Sequence, residues 1–141
     1  MIISIGSDHA GYELKSSLLQ YLGTTNDVVI NDVGTFSTES CDYPDFARKV
    51  CEQILENEAE IGILICATGI GMSISANRNT GIRAALCTSE LMAQKSRQHN
   101  DANILVLGTK NTDINTAIKI LQVFINGKFE GGRHTTRLNK I

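Results

Sequence analysis

The chain has 141 residues, 42% hydrophobic and 20% charged; that length fits one domain with a single full-size core, and that balance argues against disorder. A formal net charge of −2 gives no general attraction to nucleic acid, and no apolar run is long enough to span a bilayer. The apolar start of "MIISIGSDHAG" runs too soon into Asp8 and His9 to act as a secretory signal, so the expectation is a cytoplasmic chain with reduced thiols.

Residues 2–5 ("IISI") read as a first strand. Over residues 12–22, Leu14, Leu18 and Leu22 recur every four positions, as one face of a helix does. Residues 27–31 read as a second strand, followed by a polar loop over 32–42. Pro44 suits the first turn of a helix, where its missing N–H costs nothing. Phe46, Ala47, Val50, Cys51, Ile54 and Leu55 give that helix its apolar face and Cys51 a place in the core. Residues 61–66 ("IGILIC") form a third strand without polar alternation, the pattern of a parallel strand covered on both faces.

A helix is expected from near Met72, a fourth strand over 82–87, a weaker helix over 89–97 and a fifth strand over 104–107. Beyond Asp113, the residues Ile114, Ala117, Ile118, Leu121, Phe124 and Ile125 make the strongest helical stripe, with Gly127 at its end. After "FEGG" a short terminal helix starts at Arg133. Five strand–helix units predict an α/β fold, a three-layer α/β/α sandwich around a doubly wound five-stranded parallel sheet. Ligands of such sheets bind beyond the carboxyl ends of the strands. That rule groups the loops 6–11, 32–44, 66–72, 87–90 and 108–112.

Four segments carry chemistry. In "GSDHAG" the glycines Gly6 and Gly11 permit a sharp turn that presents Asp8 and His9; a helix-capping Asp8 and an exposed His9 explain the segment equally well. Cys66 ends the third strand, and Ala67, Thr68, Gly69, Ile70 and Gly71 turn into a helix whose first N–H groups stabilise an anion, a thiolate or a developing oxyanion. Taken alone, Cys66 fits a buried core cysteine better than a base. Gly69-x-Gly71 lacks the third glycine of a dinucleotide loop, because Ile74 stands there. In "SRQHNDAN" (96–103), His99 beside Arg97, Asn100 and Asp101 suits a general acid/base or a solvated connection. In "EGGRHTTRLNKI", Arg133 and Arg137 fall four apart on one helical face, able to clamp a phosphate or to decorate a surface. His9, His99 and His134 are scattered along the chain and no HExxH or Cys/His cluster occurs, so neither metal nor cofactor is expected.

Together "GSDHAG", "DYPDFA" (42–47), "ILICATGIGMSISAN" (63–77), "GIRAALC" (81–87), "SRQHNDAN" and "EGGRH" with Arg137 resemble the ribose-5-phosphate isomerase B family over essentially the whole chain. The resemblance implies a doubly wound fold and a homodimer, in some members paired into tetramers, with active sites shared between subunits. It also implies metal-free interconversion of ribose 5-phosphate and ribulose 5-phosphate in the pentose phosphate pathway. On the same ground Cys66 is the expected base, moving a proton between C1 and C2 through a cis-enediolate that Thr68 and the backbone of 67–71 stabilise. His99, from the partner subunit, is expected to help open the furanose ring. Asp8 and Tyr43 would hold the sugar, Asn100 would contact it, and His9, Arg133 and Arg137 would bind its phosphate. Ala67 stands where the family usually has glycine. Lys110 stands where an arginine from the partner commonly meets phosphate, supplying charge without a two-pronged geometry. The competing readings are an isomerase of allose or galactose 6-phosphate from the same superfamily and a noncatalytic phosphate-binding α/β module.

Overall fold

The computed structural model describes residues Met1–Ile141. Strand β1 (Ile2–Ser7) leads through a single 3₁₀ turn into α1 (Tyr12–Leu22), and β2 (Val29–Asp32) precedes α2 (Tyr43–Leu55). Then follow β3 (Ile61–Cys66), α3 (Ile70–Asn77), β4 (Ala84–Leu86), α4 (Glu90–Asn100), β5 (Ile104–Gly108), α5 (Ile114–Asn126) and α6 (Arg133–Leu138). All strand pairs are parallel, in the order β2-β1-β3-β5-β4. The three-layer sandwich expected from the sequence is therefore present.

All six residues of β3 are buried, as its unbroken apolar run requires of a strand covered on both faces. One core layer joins Leu14, Leu18 and Leu22 of α1, Ala93 of α4, and Ala117, Ile120, Leu121 and Phe124 of α5 to the sheet. The opposite layer packs Ala47, Val50 and Cys51 of α2 and Met72 and Ala76 of α3 against Leu64, Ile104 and Val106. From β1 the chain first moves outward to β2 and later to β3 on the other side. The loops after β1 and β3 consequently diverge, which opens a crevice at the carboxyl ends of those strands.

Several boundaries differ from the sequence expectation, each for a local reason. Strand β2 starts at Val29 because Asp27 is left-handed, with φ of 63°. Strand β4 is shorter than 82–87: the Ile82 N–H turns back to the Asn79 carbonyl (3.0 Å), and the Arg83 N–H is held by the Asn103 side chain (2.8 Å). Helix α3 begins at Ile70, directly after a left-handed Gly69. Helix α4 runs on to Asn100 and stops at Asp101, whose φ is 45°, so His99 and Asn100 stand on its last turn. Gly127 ends α5 in an extended conformation, not a left-handed one. No helix is long and apolar enough to cross a membrane.

One ion pair fixes the loop beyond β2. Lys15, 1% exposed, places Nζ 2.6 Å from both carboxylate oxygens of Asp32, with the Phe36 ring centroid 5.1 Å away. Asp32 Oδ1 also accepts the Gly34 N–H, and Gly34 and Thr35 bond the backbone of Ser7 at the end of β1. Lys15→Met removes one member of a mostly buried pair and leaves the carboxylate uncompensated, which typically costs about 3 kcal/mol. Urea unfolding should show that loss, and an unchanged midpoint would show that the pair carries no stability.

Candidate active site

Cys66 closes β3 with 5% of its surface exposed. The Gly69 N–H donates to its sulfur over 3.1 Å. That reach needs the chain to reverse within three residues, and Gly69 supplies the turn with φ of 78°, a conformation that side chains disfavour. A Cβ there would also meet Leu86 Cδ1 at 2.5 Å. The left-handed position therefore falls on Gly69 and not on Ala67, so Ala67 carries its methyl group without left-handed backbone strain. Thr68 is exposed, and its Oγ1 accepts the Ile70 N–H over 3.3 Å. Gly71 follows in the first turn of α3, where N–H groups lack partners within the helix.

The turn is gripped from β5. Thr109 N–H bonds the Cys66 carbonyl (3.1 Å), Lys110 N–H the Ala67 carbonyl (2.8 Å), and Asn111 Nδ2 the Thr68 carbonyl (3.2 Å). Gly108 makes this contact possible, since a Cβ there would lie 2.5 Å from the Thr68 carbonyl carbon and oxygen. The sequence placed loop 108–112 at this edge but singled out neither Gly108 nor Asn111. Lys110 is exposed and its backbone borders the Cys66 turn of its own chain.

The loop after β1 joins the same place. Asp8 N–H bonds the Ile65 carbonyl (3.2 Å), and a Cβ on Gly11 would meet that carbonyl oxygen at 2.5 Å, so the glycine lets the turn lie against β3. Asp8 is 6% exposed, and its Oδ1 accepts the Gly11 N–H over 3.0 Å. The capping role is thus present, and it also aims the carboxylate. His9 Nδ1 lies 3.2 Å from both the N–H and the carbonyl of Cys41, so either neutral tautomer finds a partner there. Two residues on, Tyr43 opens α2, and its ring lies so close to Gly71 that a Cβ would come within 2.6 Å of Cζ. Asp8, His9, Tyr43 and the 66–71 turn therefore share one edge of the sheet. Cys51 and Cys87 do not belong to it: burial pushes both thiols up to about 11, which keeps them protonated at neutral pH.

His99, Asn100, Arg133 and Arg137 form a second cluster, where α6 packs on the end of α4. Helix α4 runs back from the carboxyl end of β4, so its last turn lies near the amino end of the sheet; Arg83, just before β4, donates to the Asn100 carbonyl (3.1 Å). Strand β5, five residues long, separates this end from Gly108 by about 13 Å at ~3.3 Å per residue. One chain therefore does not bring His99 and Cys66 together. His134, which the sequence left scattered from His99, stacks on it with centroids 4.2 Å apart and planes at 11°. Glu130 lies beside both rings, 3.8 Å from His99 Nε2 and 3.7 Å from His134 Nε2. Two cavities flank the sheet, and Cys66 lines neither. One of about 380 Å³ runs between α3, β4 and α6, and one of about 340 Å³ between α1 and the loop after β5.

Comparison with known proteins covers the whole of this architecture. The family model described as Ribose/Galactose Isomerase matches residues 3–141. Ribose-5-phosphate isomerase B of Escherichia coli is 41% identical over 139 residues, 99% of this chain and 93% of that protein. A solved structure of Clostridium thermocellum ribose-5-phosphate isomerase B superposes with a TM-score of 0.97 at 48% identity, covering 99% of this chain and 94% of that one. The Mycoplasma genitalium ribose-5-phosphate isomerase B, solved with bound ribulose-5-phosphate, superposes at 0.93 with 40% identity, covering 99% and 92%. The likeness takes in the strand-end thiol turn and the terminal helix with nearly all of the sheet, and this chain belongs to the ribose/galactose isomerase family.

Proposed function

We infer that the chain interconverts ribose 5-phosphate and ribulose 5-phosphate, with Cys66 as the base. The observation that carries this reading is the Gly69 N–H aimed at the Cys66 sulfur over 3.1 Å, at a strand end where a sheet of this kind binds its ligand. A donor so placed favours negative charge on sulfur, and the adjoining first turn of α3 offers further N–H groups to an oxyanion.

The chemistry follows from these positions. Ring opening breaks the bond between C1 and the ring oxygen; the C1 hydroxyl gives up its proton and the ring oxygen gains one. In the open aldose, Cys66 as thiolate takes the proton from C2, and the electron pair moves onto O1 to give a cis-enediolate. A proton passes from O2 to O1, and the Cys66 thiol returns its proton to C1, leaving the C2 ketone. Thr68 and the 67–71 backbone hold the enediolate's charge, which is where such donors lower a barrier most. Asp8 and Tyr43 hold the sugar. His9, Arg133, Arg137 and Lys110 bind the phosphate, remote binding energy that orients the reacting carbons. The reaction belongs to cytoplasmic pentose phosphate metabolism.

The site is shared within a homodimer. Two observations support this. His99 and the two arginines stand at the far end of the sheet from Cys66, so a second copy supplies them. Ile70, Ile74, Leu91 and Met92 are 55%, 61%, 63% and 45% exposed on α3 and the first turn of α4, apolar surface that a partner copy would cover.

Steady-state rates should be far higher on ribose 5-phosphate than on allose 6-phosphate; the reverse preference would move the chain to the hexose branch, and turnover of neither would leave a binding module. Cys66→Ala and His99→Asn chains, each inactive alone, should regain part of the activity when co-expressed, because a mixed dimer holds one complete site. Mixed dimers that form and stay inactive would place both residues in one subunit's site.

A further inference from the structure

Glu130 and His134 are not needed for the steps above, yet both border His99: His134 from the buried side and Glu130, about half exposed, from the rim. Glu130 N–H donates to the Gln98 carbonyl (3.0 Å), which fixes it against the last turn of α4. Gly131 and Gly132 follow with φ of 67° and 57°, a left-handed pair that folds α6 back so that His134 meets His99. His134 is 6% exposed, whereas 32% of the His99 side chain remains open. The two planes are nearly parallel and so cannot both contain one ion, which argues against a shared metal between them.

We propose that Glu130 is a positioning residue for ring opening: with the stacked His134 ring behind it, its carboxylate holds the His99 imidazole in the orientation that a partner subunit's substrate meets. The inference rests on the isomerase reading above. Glu130 Oε2 is 3.8 Å from His99 Nε2, beyond a direct hydrogen bond but within reach of charge, and its other neighbour Nε2 belongs to the His134 ring. Burial, together with His99 and Arg133 nearby, lowers the His134 pKa despite Glu130's opposing pull. The neutral form of the ring behind His99 is favoured, and His99 is the more open of the two rings that Glu130 faces. Arg137, on the same helix, adds only a weaker push on His134 in the same direction as Arg133.

Substrate chemistry separates this role from that of Cys66. Ribose 5-phosphate is a furanose whose ring must open before C2 can lose a proton. Ribulose 5-phosphate has its O5 blocked by phosphate and cannot close a furanose on its C2 ketone, so exchange of its C1 hydrogen needs only the base and the oxyanion donors. The test measures two rates for Glu130→Gln: isomerisation of ribose 5-phosphate, and uptake of deuterium at C1 of ribulose 5-phosphate in D₂O. Isomerisation should fall about tenfold, part of the ~10²–10⁴-fold that a positioned acid–base group supplies, while exchange changes less than twofold. Glu130→Asp, which keeps the charge, should restore most of the isomerisation. Equal loss in both rates, no loss in either, or no difference between the Gln and Asp variants would overturn the proposal. Absence of both rates in the unaltered protein would instead overturn the isomerase reading on which it stands.

Discussion

The close passage of Gly108 across the Thr68 carbonyl is the constraint on which the site depends. A methyl group at 108 would overlap that carbonyl at 2.5 Å. Without one, the loop after β5 lies flat on the 66–69 turn and bonds three successive carbonyls of it. With its carbonyls held from outside, the turn points the Gly69 N–H inward, onto sulfur. The left-handed Gly69 completes the reversal. The sulfur thus takes its hydrogen bond from backbone, in a turn that backbone and the Asn111 side chain hold in place.

The sheet explains why these loops meet and why they do not suffice. Strands β1, β3 and β5 lie side by side in the centre, so the loops after them border one crevice. Helix α4 carries the chain back to the other end, and α6 packs there. A parallel sheet cannot place the end of a return helix beside the carboxyl ends of its strands. His99, Arg133 and Arg137 therefore stand apart from the Cys66 turn of their own chain. In the homodimer proposed above, the exposed isoleucines of α3 and the apolar start of α4 would face the partner copy.

Much of this was legible in the sequence, and the reasons differ from residue to residue. The unbroken apolar run 61–66 suited a doubly covered strand, and it placed Cys66 at a strand end. The four-residue spacing of Leu14, Leu18 and Leu22 fixed the buried face of α1. What stayed hidden were contacts between segments distant in sequence. Nothing in "LGTKNT" shows that Gly108 and Asn111 hold a turn some forty residues earlier. Lys15 sits among helix residues with no mark that it would be buried on Asp32. His99 and His134 looked unrelated because only the left-handed glycine pair, recognisable in sequence as "EGG" but not as a reversal, brings their helices together. Position 67, where the family usually has glycine, stood out as a departure; the left-handed conformation falls two residues later, on Gly69.

The account rests on proton transfer by one sulfur, and Cys66→Ala tests it most directly. Isomerisation of ribose 5-phosphate should fall by roughly three orders of magnitude, within the ~10²–10⁴-fold range of a positioned general base, while the affinity for the sugar phosphate measured by calorimetry stays within a few-fold. A variant that binds as before and still turns over at close to the original rate would contradict the account, because the proton would then move through some other group.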